Sequence, residues 1–111
     1  MIAKIGDSII ANNVKIASTT IDRMIGLMFK EKMVGFDALL IEPCNSIHTF
    51  FMCYAIDVVF LNKNYEVVKI IRNMKPWRLS AIYFRATKVL ELQAGTLPEN
   101  VSKGDKLVMH V

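Results

Sequence analysis

Ile56-Asp57-Val58-Val59-Phe60-Leu61-Asn62-Lys63-Asn64-Tyr65-Glu66-Val67-Val68-Lys69-Ile70-Ile71 decides the fold class. Ile56 to Leu61 is β-branched and aromatic, which suits a pleated, half-buried surface. Asn62-Lys63-Asn64 is turn chemistry, with Asn64 able to take a left-handed conformation, and Tyr65 to Ile71 runs back as a second strand. The segment reads as a β-hairpin. Upstream, the apolar run extends back through Ser46-Ile47-His48-Thr49-Phe50-Phe51-Met52-Cys53-Tyr54-Ala55. From 46 to 61 it holds one histidine, His48, and one carboxylate, Asp57. Burying either without a partner is costly. Both are therefore expected to meet buried partners or to open onto a cleft.

Working outward, residues 2–18 are strand material, with Asn12-Asn13 as a turn pair and Val14-Lys15-Ile16-Ala17 alternating after it. Thr19-Thr20 offers a helix N-cap. Ile21, Met24, Ile25 and Met28 then fall on one helical face, which predicts an amphipathic helix packing that stripe into the core. Ala38-Leu39-Leu40-Ile41 predicts a short buried strand stopped by Glu42-Pro43. Ser46 to Met52 reads as extended, and Thr87 to Leu92 as a further strand. Thr96-Leu97-Pro98-Glu99 resembles a capping box opening one helical turn. Ser102-Lys103-Gly104-Asp105 turns into a last strand, Lys106 to Val111. The expected fold is mainly β (β-rich α+β). It is a compact antiparallel barrel or sandwich of six to eight short strands, with one N-terminal helix and one short C-terminal helix. No βαβ alternation points to a doubly wound parallel sheet. Residues 1–111 are expected to form one domain, which at this size buries roughly two-thirds of its unfolded surface.

The chain is 53% hydrophobic. That excess fits a dense β core, or an apolar face for self-association. The uncharged apolar run from Phe50 to Ile56 falls far short of the ~20 residues a membrane helix needs, so no membrane insertion is expected. The apolar run at the N-terminus is too short for a signal peptide, which makes the cytoplasm the expected compartment. Cys44 and Cys53 then read as free thiols.

Several constellations could carry chemistry. Cys44, His48, Cys53 and Asp57 do not have a zinc spacing, and on one continuous strand His48 and Cys53 would point to opposite faces, so no metal site is expected. A Cys-His-Asp nucleophile set lacks a local cation or helix terminus to lower the thiol pKa, and no catalytic residue or cofactor is assigned. Asp57 and Glu91 are the carboxylates set deepest in apolar strand sequence. With His48, and with Arg23 to orient them, they could line a cleft that grips a polar ligand, or could form a paired network fixing the helix to the sheet. From Lys69 to Lys88 there are six basic residues and no acidic one, with aromatic residues interleaved. Lys69, Arg72, Lys75, Trp77, Arg78 and Arg85 would suit a single-stranded nucleic acid, by phosphate contact and base stacking. Against this, the net charge of +4 is modest.

Three segments resemble the motifs of a known family. Arg23-Met24-Ile25-Gly26-Leu27-Met28-Phe29-Lys30 looks like its R-x-x-G-L-M-x-R element. Ser46 to Met52 with Ile56 to Leu61 resembles its central signature, and Val89-Leu90-Glu91-Leu92-Gln93-Ala94-Gly95 with Gly104-Asp105 its C-terminal one. The family is the bacterial domain of unknown function 192. The resemblance implies a small β-rich domain with an N-terminal helix, often exported, and brings no activity with it. Cys53 and Ala55 stand where members usually carry a basic residue and a proline, and Phe51 where a small residue is common.

The leading expectation is a non-enzymatic domain that binds a polar small molecule or a protein partner through His48, Asp57, Glu91 and Arg23. Single-stranded nucleic-acid binding through 69–88, a hydrolase using the same carboxylates, and self-association are the alternatives.

Overall fold

The structure, a computed structural model, describes residues 1–111. In chain order the elements are β1 (Ile2–Ile5), β2 (Ser8–Ala11), β3 (Val14–Ala17), α1 (Thr20–Ile25), β4 (Ala38–Ile41), β5 (Ile56–Leu61), β6 (Val67–Met74), β7 (Lys88–Gln93) and β8 (Leu107–His110). A three-stranded sheet has the order β2-β1-β8, and a five-stranded sheet the order β3-β4-β7-β5-β6. The mainly β expectation holds in its sandwich form. The sheets do not close into a barrel. One pair, β3 with β4, runs parallel, because α1 and its loops carry the chain across between them.

The central strands of the large sheet are buried on both faces, and that organises everything else. Every residue of β4 and β5 is buried. Strand alternation divides them between two cores. Leu40, Val59, Leu61, Leu90 and Leu92 pack toward the small sheet, where Ala3, Ile10 and Leu107 meet them. Leu39, Ile41, Val58, Phe60 and Val89 pack the other way, against Leu27, Ile47 and Met52 from the loops. The second layer is therefore built of irregular chain, not of a sheet, and α1 lies against it without burying a residue.

The hairpin forms as the sequence predicts, with β5 antiparallel to β6. The left-handed residue of its turn is Tyr65 (φ 62°), not Asn64. Asn62 forces this, because its Oδ1 accepts from the amides of Asn64 and Glu66 and sets the turn one residue later.

Three local expectations fail for identifiable reasons. First, α1 is six residues long, capped by Thr19, whose Oγ1 accepts from the Asp22 amide at 3.1 Å. Gly26 ends it at φ 48°, a conformation that other residues resist. With the helix cut there, the apolar stripe never reaches the core: Ile21 is 68% exposed and Met24 67%. Leu27, just past the end, is the residue that buries. Second, Ser46 to Met52 is not a strand. His48 makes one isolated bridge to Leu79, and the Met52 amide then turns back to the Thr49 carbonyl at 3.2 Å. Third, the expected C-terminal helical turn at Thr96 to Glu99 is absent. Arg72 donates to the Leu97 and Pro98 carbonyls at 2.9 and 2.8 Å, and the chain makes only a single turn there, with the Val101 amide on the Pro98 carbonyl at 3.3 Å.

No helix is long and apolar enough to cross a membrane.

Candidate functional site

The register of β7 fixes where Glu91 goes. Its neighbours across the sheet are Leu39 on β4 and Val58 on β5, so its side chain enters the loop-covered core. It is 3% exposed. No side chain or amide donates to its carboxyl, and no cationic nitrogen lies within ion-pair distance of it, the one ion pair in the molecule being Lys88 with Glu42 at 3.8 Å. Desolvation is the cause that pushes its pKa from 4.5 up to about 8. A protonated, unbonded acid in the core is an expensive arrangement.

Glu91 is not sealed in. It lines a cavity of about 230 Å³ bounded by the C-terminal half of α1, the Gly26–Met28 turn and the segment from Pro43 to His48. Arg23 and His48 line the same cavity. Arg23 comes from α1. One terminal nitrogen donates to the Pro43 carbonyl at 3.1 Å, and its Nε is buried with no partner. His48 is exposed at the rim, stacked on Phe50 with centroids 5.0 Å apart. Its Nδ1 accepts from the Phe50 amide at 3.2 Å, which leaves the proton of a neutral imidazole on Nε2. Met24, Ile25, Leu27 and Met52 supply apolar wall. Beside this region lies the Tyr54 hydroxyl, buried without a partner; burial, then the Glu91 charge, pushes it up to about 12.

Asp57 is elsewhere. It pairs in register with Leu92, one residue out of step with Glu91, and so faces the opposite core. Its Oδ1 accepts from the Asn73 amide at 2.9 Å, and its Oδ2 from Gly95 at 3.0 Å and Leu97 at 3.2 Å. Gly95, at φ 87°, turns the chain as it leaves β7. Asp57 is thus a backbone clamp joining the end of β6 to the loop after β7. Of the four residues expected to share a cleft, Arg23, His48 and Glu91 do, and Asp57 does not. Arg23 orients neither carboxylate. The hydrolase alternative rested on the two acids sharing one cleft, and the sheet separates them.

The Cys44 thiol shows no activation. Cys44 lines the cavity and donates to the Ser46 carbonyl at 3.0 Å, and burial, its largest influence, pushes its pKa up. Cys53 is exposed. With Asp57 beyond the sheet, the Cys44, His48, Cys53 and Asp57 set does not converge on a point.

The basic segment 69–88 splits apart. Arg72 is engaged with Leu97 and Pro98, and Lys88 is buried over the Tyr65 ring, 4.1 Å from its centroid. Lys69, Lys75, Arg78 and Arg85 are exposed. Trp77, 56% exposed, packs on Phe51 at 4.7 Å between centroids, and Phe51 on Phe29 at 5.3 Å. All three have left-handed backbone, at φ 64°, 64° and 63°. That is an unusual conformation for bulky side chains, costing on the order of 1–3 kcal/mol each. Sequence reasoning missed this row because its rings come from three separate loops, and it missed the wall residues Cys44, Ser46 and Met52 because their segment is irregular chain whose periodicity gives no facing.

The DUF192 family model, described as an uncharacterized ACR, matches residues 1–109. A UPF0127 protein of Pyrococcus horikoshii is 39% identical over 99 residues, covering 85% of this chain and 84% of its own. Another from Thermococcus sibiricus is 34% identical over 113 residues, covering 96% and 72%. Both are archaeal, so the bacterial attribution drawn from the motifs is too narrow. A crystal structure of a protein of unknown function from Novosphingobium aromaticivorans superposes with a TM-score of 0.73 at 19% identity, over 86% of this chain and 74% of that one. This similarity bears on the fold alone.

Proposed function

The chain belongs to the DUF192 family of UPF0127 proteins, and we propose that it is a non-enzymatic domain that holds a small polar ligand in the cavity between α1 and β7. The supporting observation is Glu91. Its carboxyl lies in an apolar core with no hydrogen-bond partner, at the wall of a space large enough for a small molecule. Folding gains nothing from such a group, whereas a ligand that bonds to it recovers the cost of its desolvation. Asp57 shows the contrast, since its own amide partners satisfy it fully.

The test is a fragment screen by thermal shift on the parent and on Ser46→Leu, which fills the cavity. Fragments that raise the melting temperature of the parent and not of the filled variant support the reading. No stabilising fragment, or equal shifts in both proteins, refutes it.

A second reading, single-stranded nucleic acid, draws support from the exposed row of Trp77, Phe51 and Phe29. Lys75, Arg78 and Arg85 remain free to meet phosphates on that reading, whereas Arg72 is not. Titration of labelled single strands at two salt concentrations tests it, and absence of salt-dependent binding ends it.

A further inference from the structure

The cavity presents two groups of opposite character that do not satisfy each other and that the protein leaves open to a ligand. Glu91 offers a carboxyl with no donor. Arg23 offers a guanidinium with one terminal nitrogen spent on the Pro43 carbonyl and an Nε buried without an acceptor. Both line the same space, yet no Arg23 nitrogen lies within 4.0 Å of the Glu91 oxygens. Two such side chains left apart in one apolar hollow are arranged for something between them. The wall residues Met24, Leu27 and Met52 fit an aliphatic body. At about 230 Å³ the space is below the ~300–1,000 Å³ of drug-sized sites, which limits the occupant to a few carbons.

The charges restrict it further. A bare alkylammonium would satisfy Glu91 but enter against the Arg23 charge. A bare carboxylate would pair with Arg23, which binds carboxylates well, but would meet Glu91 only through the single O–H of its protonated form, with no opposite charge to offset the buried carboxylate. A molecule with both groups meets both. Resting on the cavity reading above, we propose that the ligand is a small aliphatic amino-carboxylate, its amino group against Glu91 and its carboxylate against Arg23.

At neutral pH the empty site holds Glu91 protonated. When an ammonium docks, Glu91 releases its proton to solvent, and a carboxylate–ammonium pair remains. The other titratable or charged groups lining this space are Cys44, His48 and Arg23, and Tyr54 lies outside it, close enough to Glu91 to feel its charge. Burial keeps Cys44 and Tyr54 protonated, so neither supplies the released proton.

Calorimetric titration at pH 7, in two buffers of different ionisation heat, tests this with 5-aminopentanoate, L-norvaline, pentanoate, pentylamine and neutral pentanamide. One of the two amino-carboxylates is expected to bind at least about tenfold tighter than the singly charged and neutral probes, with about one proton released. Glu91→Gln should abolish its advantage over pentanoate and the proton release. Arg23→Gln should abolish its advantage over pentylamine. If pentanamide, pentylamine or pentanoate binds the parent as tightly as the better amino-carboxylate, if none of the five binds while the fragment screen yields stabilising fragments, or if Glu91→Gln keeps the preference, the ligand class is wrong and the cavity reading survives. If none of the five binds and the fragment screen is also empty, the cavity reading itself falls.

Discussion

Replacing Glu91 by glutamine should make the protein more stable, and increasingly so as pH rises. Glu91 titrates at about 8 in the fold, against 4.5 for an unperturbed carboxyl. Below pH 4.5 both folded and unfolded chains carry the proton, and the group costs nothing through ionisation. Between the two values the unfolded chain ionises while the folded chain stays protonated, so unfolding releases a proton. Stability therefore falls as pH rises through this window and levels off above the folded value. Each unit is worth about 1.4 kcal/mol, which gives a loss of roughly 3 kcal/mol at pH 7 and roughly 5 kcal/mol on the plateau. For a domain of this size that is a large part of the total, typically about 5–15 kcal/mol. Glutamine keeps the shape and cannot ionise. Urea unfolding of parent and Glu91→Gln at intervals from pH 4 to 8 should give curves that coincide at the acid end and diverge by several kcal/mol at the other. Parallel curves across that range would show that Glu91 is solvated or paired in the fold, and would refute the account of its burial.

The opposite behaviour is expected of Asp57. Asp57→Asn places an amide nitrogen toward backbone donors now held by a carboxylate, and should cost about 3 kcal/mol in denaturant unfolding, whereas exposed His48→Ala should change stability by no more than about 0.5 kcal/mol. Phe29→Gly relieves a left-handed residue whose ring is mostly in water, and should be neutral or stabilising by up to about 1 kcal/mol; a loss above about 2 kcal/mol would mean the ring is a core contact. The apolar face of α1 should drive weak self-association, seen as concentration-dependent sedimentation that Ile21→Lys with Met24→Lys removes. A maleimide should label exposed Cys53 well before Cys44, whose thiol is half-buried and raised in pKa, and equal rates would contradict that ranking.

What the sequence disclosed tracks the range of the interactions involved. The hairpin of β5 and β6 is local, and its alternation with the Asn62 turn was legible. So was the depth of Asp57 and Glu91, because apolar flanks announce burial. Which face each took was not legible, since that depends on the register of β7 against β5, and one residue of offset sends the two acids to opposite cores. The Met stripe on α1 misled because periodicity says which residues share a face, not whether the helix lasts long enough to bury it; Gly26 decided that. The loop layer was least readable, being set by contacts such as the Phe29 amide on the Phe51 carbonyl and the Trp77 amide on Thr49. One trace of it was visible all the same. Phe51 stands where the family resemblance expects a small residue, and the structure gives that position a φ of 64°, which a small residue adopts more easily.

Because irregular chain forms one wall of the cavity and a doubly buried sheet forms the other, the two sides answer to different rates. Past α1, the Phe29 amide donates to the Phe51 carbonyl at 2.8 Å and the two rings touch, so this side is held by one backbone bond and a ring contact while β4, β5 and β7 are held by a ladder. Amide exchange should then record a fast gate around residues 26–29 laid over a slow scaffold, so that traffic in and out of the hollow never waits on the breathing of the whole molecule.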